Sequence, residues 1–167
     1  RRERRLAAGA GLMDRRHFLA AGVALTPLAS LLSACAAKGD WPEGMQEIKW
    51  DRDTCMRCAM AISDRRFAAE LVGGPQGTVF KFDDIGCVTV WMRDRMKDFP
   101  WMAEPGTRIW VADVRSQGNQ VKWLDARKAQ YLTKTSPMGY NFGAVALPEP
   151  GVMDFAEMRA HVLAKGR

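Results

Sequence analysis

The sequence predicts an α+β fold in which two small ββαβ-like units form one compact domain. Three observations support this prediction. Segments with the composition of β-strands come in pairs separated by turn-forming residues, and segments with helical periodicity follow them. The chain also lacks an alternating strand–helix series with a glycine-rich phosphate loop. The pattern therefore favours antiparallel strand pairs with helices packed on them over a parallel sheet.

The first unit begins with a β-hairpin. Residues 67–72 and 78–82 are predicted strands, and Gly73-Gly74-Pro75-Gln76-Gly77 between them is strong turn-forming sequence. Asp83 is the predicted N-cap of a helix that ends before Pro100. Apolar residues recur at roughly helical spacing in that segment: Ile85, Val88, Trp91, Met92 and Met96.

The second unit repeats this order less regularly. Residues 108–114 and 120–124 are predicted strands joined by a polar turn. We predict a short helix over residues 126–132 and a last strand within residues 140–147. A terminal helix is expected to begin at Asp154, which is a good N-cap residue.

The N-terminal residues have the organisation of an export signal. We expect Met13 to be the initiator, followed by a charged region with Arg15-Arg16 and an apolar run over residues 20–32. This run is shorter than the roughly 20 residues that a transmembrane helix needs. The Arg pair with Phe18-Leu19 looks like a twin-arginine signal, although Asp14 stands where that consensus prefers Ser or Thr.

A cysteine ends this signal. Leu32-Ser33-Ala34-Cys35 resembles the lipobox of bacterial lipoproteins, in which the Cys is acylated and becomes the first mature residue. The alternative is an ordinary signal peptide that happens to end near a Cys. We therefore predict a signal peptide over residues 1–34, a lipid-anchored linker over 35–47 and a folded domain over 48–167. This arrangement predicts a periplasmic protein of a Gram-negative bacterium, attached to the membrane through lipid on Cys35.

The charge of the chain is concentrated in the predicted signal. The full sequence has 25 basic and 19 acidic residues and a net charge of +6. Residues 1–34 hold six Arg and two acidic residues, so the predicted mature chain keeps 19 basic and 17 acidic residues and a net charge of +2. Because this net charge is low, the sequence has no electrostatic signature of a nucleic-acid-binding protein, and we expect no nucleic-acid partner.

The segment Cys55-Met56-Arg57-Cys58-Ala59-Met60 concentrates sulfur-containing side chains. Thiolates and thioethers are soft ligands, which together favour Cu(I) over hard cations such as Mg²⁺. We predict Cys58, Met60 and Cys55 as metal ligands, and Met138, in a Pro-Met-Gly loop, as an outer one. Three roles remain open for Cys87: it is an ordinary buried thiol on a helix, a metal ligand or a disulfide partner.

Three other interpretations of the cysteines remain open. A redox pair normally opens a long helix after a strand, whereas the sequence after Met60 leads to a strand-like run. Structural zinc usually needs four ligands, and the predicted mature chain offers three thiols and the distant His161. A structural disulfide, Cys55–Cys58 or Cys58–Cys87, is the third alternative.

Four short motifs follow one another along the predicted mature chain. They are Cys55-x-x-Cys58-x-Met60, Phe82-Asp83-Asp84-Ile85, Trp123-Leu124-Asp125-Ala126 with Tyr131 after it, and Ser136-Pro137-Met138-Gly139. In their order and spacing they resemble the NosL family, the accessory lipoproteins of nitrous-oxide reductase. The resemblance covers nearly the whole predicted mature chain.

The resemblance implies a membrane-anchored periplasmic Cu(I) chaperone, not an enzyme, with two ββαβ-type units similar to the core of organomercurial lyase. The implied client is nitrous-oxide reductase, and a haem-copper oxidase is the other candidate. The Cys-x-Met core of the family maps onto Cys58 and Met60, and Cys55 matches the first Cys of many members. The family pattern often has Gly where Ala59 stands, and it does not include Cys87.

Overall fold

The computed structural model describes residues 40–165. The predicted signal peptide and the predicted lipidation site, Cys35, therefore lie outside the described residues. Within residues 40–165 the chain forms an α+β domain, as the sequence predicts, with six strands, two α-helices and a short 3₁₀ helix. None of the helices in this range has the length and apolar character needed to cross a bilayer. The elements are β1 (Ala69–Gly73), β2 (Thr78–Phe82), α1 (Ile85–Arg95), the 3₁₀ helix (Pro100–Ala103), β3 (Arg108–Ala112), β4 (Trp123–Asp125), β5 (Gln130–Thr133), β6 (Phe142–Val145) and α2 (Phe155–Ala164).

The strands form two antiparallel sheets. The larger sheet has the order β2-β1-β3-β4, and β5 pairs with β6 in the smaller one. On the central strand β1, Leu71 is opposite Phe80 on one side and Ile109 on the other. The first unit is thus β1-β2-α1-β3, a complete ββαβ unit. In the second part of the described chain, β5, β6 and α2 follow β4 as a ββα arrangement.

The prediction of a helix over residues 126–132 is wrong. This segment forms a turn and then β5, whose Tyr131 is paired with Ala144 of β6. The Tyr131 ring is fully buried, and its hydroxyl donates to the carbonyl of Ala126 at 2.7 Å. The Asp125 carboxylate accepts from the Arg127 N–H at 3.0 Å, which closes a local turn instead of starting a helix. Strand pairing and burial therefore override the local capping signal.

The core lies where α1 packs on the larger sheet. Leu71, Phe82, Val88 and Ile109 are almost completely buried there. At one end of the sheet, an aromatic cluster surrounds Phe80, whose ring lies 4.5 Å from that of Trp91. The helix α2 packs against α1 and buries Met158 and Val162. This packing holds the first turn of α1 in a defined position beside the sheet.

Residues 41–50 lie on the domain as well. The Trp41 ring lies 5.4 Å from Trp123 and 6.4 Å from Trp50, and all three rings are half-buried. The N–H of Gln46 donates to the Glu70 carboxylate at 2.8 Å. Since Glu70 alternates with Leu71 along β1, this segment covers the sheet face opposite α1. The domain therefore holds the chain from Trp41 onward, within the predicted linker.

Candidate metal centre

The sulfur motif forms a tight loop beside the edge strand β2. The N–H of Cys55 donates to the carbonyl of Met60 at 2.8 Å, and the N–H of Ala59 donates to the carbonyl of Cys55 at 2.9 Å. The N–H of Met56 donates to the carbonyl of Lys81 at 2.9 Å, which attaches the loop to the sheet. Ala59 closes the loop with φ +59°, a left-handed conformation that favours glycine. The backbone thus determines where the side chains of this loop point.

The first turn of α1 brings a third thiol to the loop. Asp84, not Asp83 as predicted, caps this helix, and its carboxylate accepts from the N–H of Gly86 at 2.7 Å. The ring of Tyr140 occupies the space where a Cβ of residue 86 would lie, so only glycine fits at this position. Cys87 follows on this turn and is completely buried.

The thiols of Cys55, Cys58 and Cys87 converge on one point. Their three Sγ atoms all lie within 4.8 Å of one another, and all three thiols are free. Cys55 and Cys87 are buried, at 1% and 0% exposure, while Cys58 is half-buried. The three sulfurs are therefore close enough to hold one metal ion, which would reach them from the side of Cys58.

Hydrogen bonds distribute the protons unequally among these thiols. The pKa of Cys55 falls to about 5, chiefly because the Cys87 thiol donates to its sulfur. Backbone N–H groups of the same loop and of Asp83 add to this effect. The pKa of Cys87 is raised because it is the donor in this bond, and that of Cys58 is raised chiefly by burial. Cys55 is thus the thiol of the cluster that loses its proton at the lowest pH.

Two carboxyl groups lie close enough to Cys55 to feel its charge. Asp83 and Asp84 are buried, and burial, which is the main cause, raises the pKa of each to about 6. The negative charge of Cys55 contributes to both shifts. Asp84 also accepts from the Ser136 hydroxyl at 2.5 Å, so it joins the start of α1 to the loop that carries Met138. The carboxylate therefore connects the helix that carries Cys87 with the loop that carries Met138.

The structure brings some of the predicted ligands together. Cys55 and Cys58 lie in the cluster, and the third member is Cys87, whose role the sequence left open. Met60, on the same loop, is 53% exposed. Met138 is half-buried against the core, and its backbone N–H interacts with Asp84. The roles of Met60 and Met138 as ligands stay predictions. His161, on α2, is exposed and takes no part in the cluster.

Sequence reasoning had only an indirect signal for Cys87. The predicted mature chain has an odd number of thiols, and Cys87 lies three residues after an acidic pair that is suited to cap a helix. Both facts are compatible with an ordinary buried cysteine. Only the packing of α1 against the sulfur loop identifies Cys87 as part of the centre.

Fold and site together define an α+β domain that carries a three-thiol centre suited to a soft metal ion. A scan against protein-family models finds no match, and a search of curated proteins finds none either. Among solved structures, the chain is similar to the copper chaperone NosL from Shewanella denitrificans. The TM-score is 0.45 and the identity 18%, over 74% of this chain and 89% of that chain.

Proposed function

We propose that this protein is a Cu(I) chaperone, which binds one copper ion and passes it to another protein. The observation that carries this proposal is the convergence of Cys55, Cys58 and Cys87 within 4.8 Å. Beside them, Met60 offers an exposed thioether at the surface. A centre with buried sulfurs on one side and accessible sulfurs on the other suits an ion that is held and then released.

The ligand set favours Cu(I) over zinc. Structural zinc sites are almost always closed by four N or S ligands, and the cluster in the described residues has three thiols and no histidine. Soft thiolate and thioether ligands select Cu(I). We assign Cys55, Cys58 and Cys87 as thiolate ligands, Met60 as a thioether ligand, and Met138 as an outer ligand.

The burial gradient provides an order for transfer. Cys55 and Cys87 are buried and would hold the ion longest, whereas Cys58 and Met60 are accessible to a second protein. A sulfur ligand of the acceptor protein would bind Cu(I) while first Met60 and then Cys58 dissociate from it. The freed thiolates would take up protons from water as the ion leaves. The copper stays monovalent throughout, so the step needs neither an oxidant nor a reductant.

The cellular setting follows from the sequence. The lipobox-like segment ending at Cys35 supports a lipid anchor in the periplasm, and the NosL-like motifs support nitrous-oxide reductase as the client. A haem-copper oxidase is the other candidate client. Loss of labelled palmitate incorporation in a Cys35→Ser full-length variant would test the anchor.

The function is tested by anaerobic titration with Cu(I) against a chelator that reports free copper. We expect a Cys58→Ser, Met60→Leu double variant to bind Cu(I) at least about tenfold more weakly than the wild-type protein. Met56→Leu is the matched control, because Met56 is an exposed methionine of the same loop that is not an assigned ligand. Undiminished affinity in the double variant would rule out this assignment.

The lowered pKa of Cys55 also favours a second candidate, a thiol–disulfide oxidoreductase that uses Cys55 and Cys58. In such enzymes an accessible low-pKa thiolate attacks the substrate disulfide. Here the low-pKa thiol, Cys55, is only 1% exposed, and the accessible thiol, Cys58, has a raised pKa. This arrangement makes Cys58 a poor nucleophile. Turnover in an insulin reduction assay would support this second function over the first.

A further inference from the structure

The loop that carries the metal centre exposes an unusual amount of apolar surface. In residues 40–165, the exposed large hydrophobic side chains are Met56, Met60 and Leu147, at 48%, 53% and 70% exposure. Two of these three flank Cys58. Ala59 and Ala61 are also exposed. We name the surface formed by Met56, Arg57, Ala59, Met60 and Ala61 the transfer rim.

The transfer rim is held outward by the backbone. The hydrogen bonds from Cys55 to Met60 and from Met56 to Lys81 fix both methionines on an ordered loop. Ala59-Met60-Ala61 are consecutive exposed apolar residues, an arrangement that soluble domains avoid unless a partner covers it. Methionine side chains adapt to differently shaped surfaces, and they are frequent where proteins bind partners. The rim therefore has the properties of a contact surface.

The charges around Tyr140, whose ring lies under Arg57 of the rim, are mainly positive. The guanidinium of Arg57 lies 5.8 Å from the centre of the Tyr140 ring, and no carboxylate of the described residues forms a salt bridge with it. Tyr140 also has two other cations near it. Lys165 donates to its carbonyl at 2.8 Å, and Arg93 lies close enough to interact with it. Asp94, paired with Arg93, is the exposed carboxylate beside them.

We infer that the transfer rim is the docking surface for the copper-accepting segment of a partner protein, and that this segment is acidic and carries its own sulfur donor. The inference rests on the proposed function and adds the chemistry of the partner. Met56 and Met60 exclude water from the contact. Arg57 attracts the acidic residues, since three cations and one exposed carboxylate surround Tyr140. Attraction of this kind accelerates the encounter more than it strengthens the complex.

The test uses two synthetic acceptor peptides with identical Met and Cys donors. One is flanked by Asp residues and the other by Lys residues. Anaerobic stopped-flow mixing of the Cu(I)-loaded protein with each peptide gives the transfer rate at about 20 mM and about 500 mM salt. We expect transfer to the acidic peptide to be about tenfold faster at low salt, and the preference to shrink at high salt.

Two variants locate the effect on the transfer rim. Arg57→Gln should remove most of the preference for the acidic peptide, whereas Arg159→Gln, an exposed control on α2, should leave it unchanged. Met56→Gln should slow transfer to both peptides while the Cu(I) affinity in chelator competition stays the same. Equal rates for the two peptides, or faster transfer to the Lys peptide, would overturn the inference.

A copper-free measurement separates this inference from the proposed function. The acidic peptide, added to the reduced apo protein, should shift the backbone amide resonances of residues 56–61, and the Lys peptide should not. If these shifts are absent, the docking inference is wrong even when Cu(I) binds tightly. If the shifts are present but Cu(I) does not bind, the docking surface stands and the chaperone function is wrong.

Discussion

The sulfur atoms of Cys55 and Cys87 lie within 4.8 Å of each other, although one residue belongs to a loop at the sheet edge and the other to the first turn of α1. The nearby thiol of Cys87 is also the main cause of the lowered pKa of Cys55. The three-thiol cluster is therefore a tertiary feature, and its geometry depends on how α1 packs on the sulfur loop.

Replacing Cys87 tests its role as a ligand. We expect Cys87→Ala to weaken Cu(I) binding at least about tenfold, because one of three converging sulfurs is lost. The intensity of the Cu(I)–thiolate absorption in the ultraviolet should fall by about one third. Chelator competition and absorption titration measure both effects.

Val90→Ala is the matched control for this variant. Val90 is on the same helix and is also fully buried, so its truncation costs about 1–3 kcal/mol of stability without removing a sulfur. The control should keep the affinity and absorption of the wild-type protein. Equal losses in both variants would show that Cys87 acts only through packing.

Removing the Asp84 carboxylate should disturb both the helix and the site. Its oxygens accept from the N–H of Gly86 and from the hydroxyl of Ser136. We expect Asp84→Ala to lower the free energy of unfolding by about 1–3 kcal/mol and to weaken Cu(I) binding. Asp154→Ala removes the N-cap of α2, where the side chain accepts from Glu157 at 2.9 Å. It should cost about 1 kcal/mol and leave Cu(I) binding unchanged.

Glu70 should make stability depend on pH. It is completely buried on β1, one carboxylate oxygen has no partner, and burial raises its pKa from the ordinary 4.5 to about 7. The folded protein binds this proton more tightly than the unfolded chain does. Proton binding by Glu70 therefore adds to the free energy of unfolding, and this contribution is fully present below about pH 4.5. It is lost as the pH rises through about 7.

The Glu70→Gln variant removes this titration. We expect it to be more stable than the wild-type protein at pH 8 by about 1–3 kcal/mol, with the difference shrinking toward pH 5. Urea unfolding at several pH values measures the difference. Glu47→Gln replaces an exposed carboxylate in the segment 41–50 and is the control, which should change the free energy of unfolding little. A constant difference between Glu70→Gln and wild type from pH 5 to pH 8 would contradict the assignment.

The left-handed conformation of Ala59 predicts an unusual response to glycine. A non-glycine residue at φ +59° costs roughly 1 kcal/mol, and glycine removes this cost while adding entropy to the unfolded chain. We expect Ala59→Gly to leave thermal stability unchanged or to raise it by up to about 1 kcal/mol. Ala61→Gly, two residues away without a positive φ, should lower stability by about 0.5–1 kcal/mol. The same loss in both variants would show that Ala59 is not strained.

Local signals in the sequence were sufficient for several elements. The strand β2 occupies the predicted residues 78–82, and the terminal helix has its N-cap at the predicted Asp154. Both elements have unambiguous local boundaries, since glycines precede the strand and the Asp caps the helix. At α1 the sequence offers two adjacent aspartates, and only the hydrogen bond from Gly86 identifies Asp84 as the cap.

The remaining features depend on contacts between distant residues. The sequence predicts a helix over residues 126–132, which includes most of β5, because the pairing of β5 with β6 leaves no local trace in the sequence. In the site, the close spacing of Cys55 and Cys58 made the pair visible in the sequence. The third thiol, Cys87, comes from another element, and no local pattern determines its distance from the pair.

Copper K-edge X-ray absorption of the Cu(I)-loaded protein tests the central claim most directly, because it reports the atoms bound to the ion. We expect sulfur scatterers only in the first shell of the wild-type spectrum, and one fewer sulfur in the Cys87→Ala variant. A first shell dominated by nitrogen or oxygen, or a spectrum unchanged by the loss of Cys55, Cys58 or Cys87, would contradict the proposed copper centre.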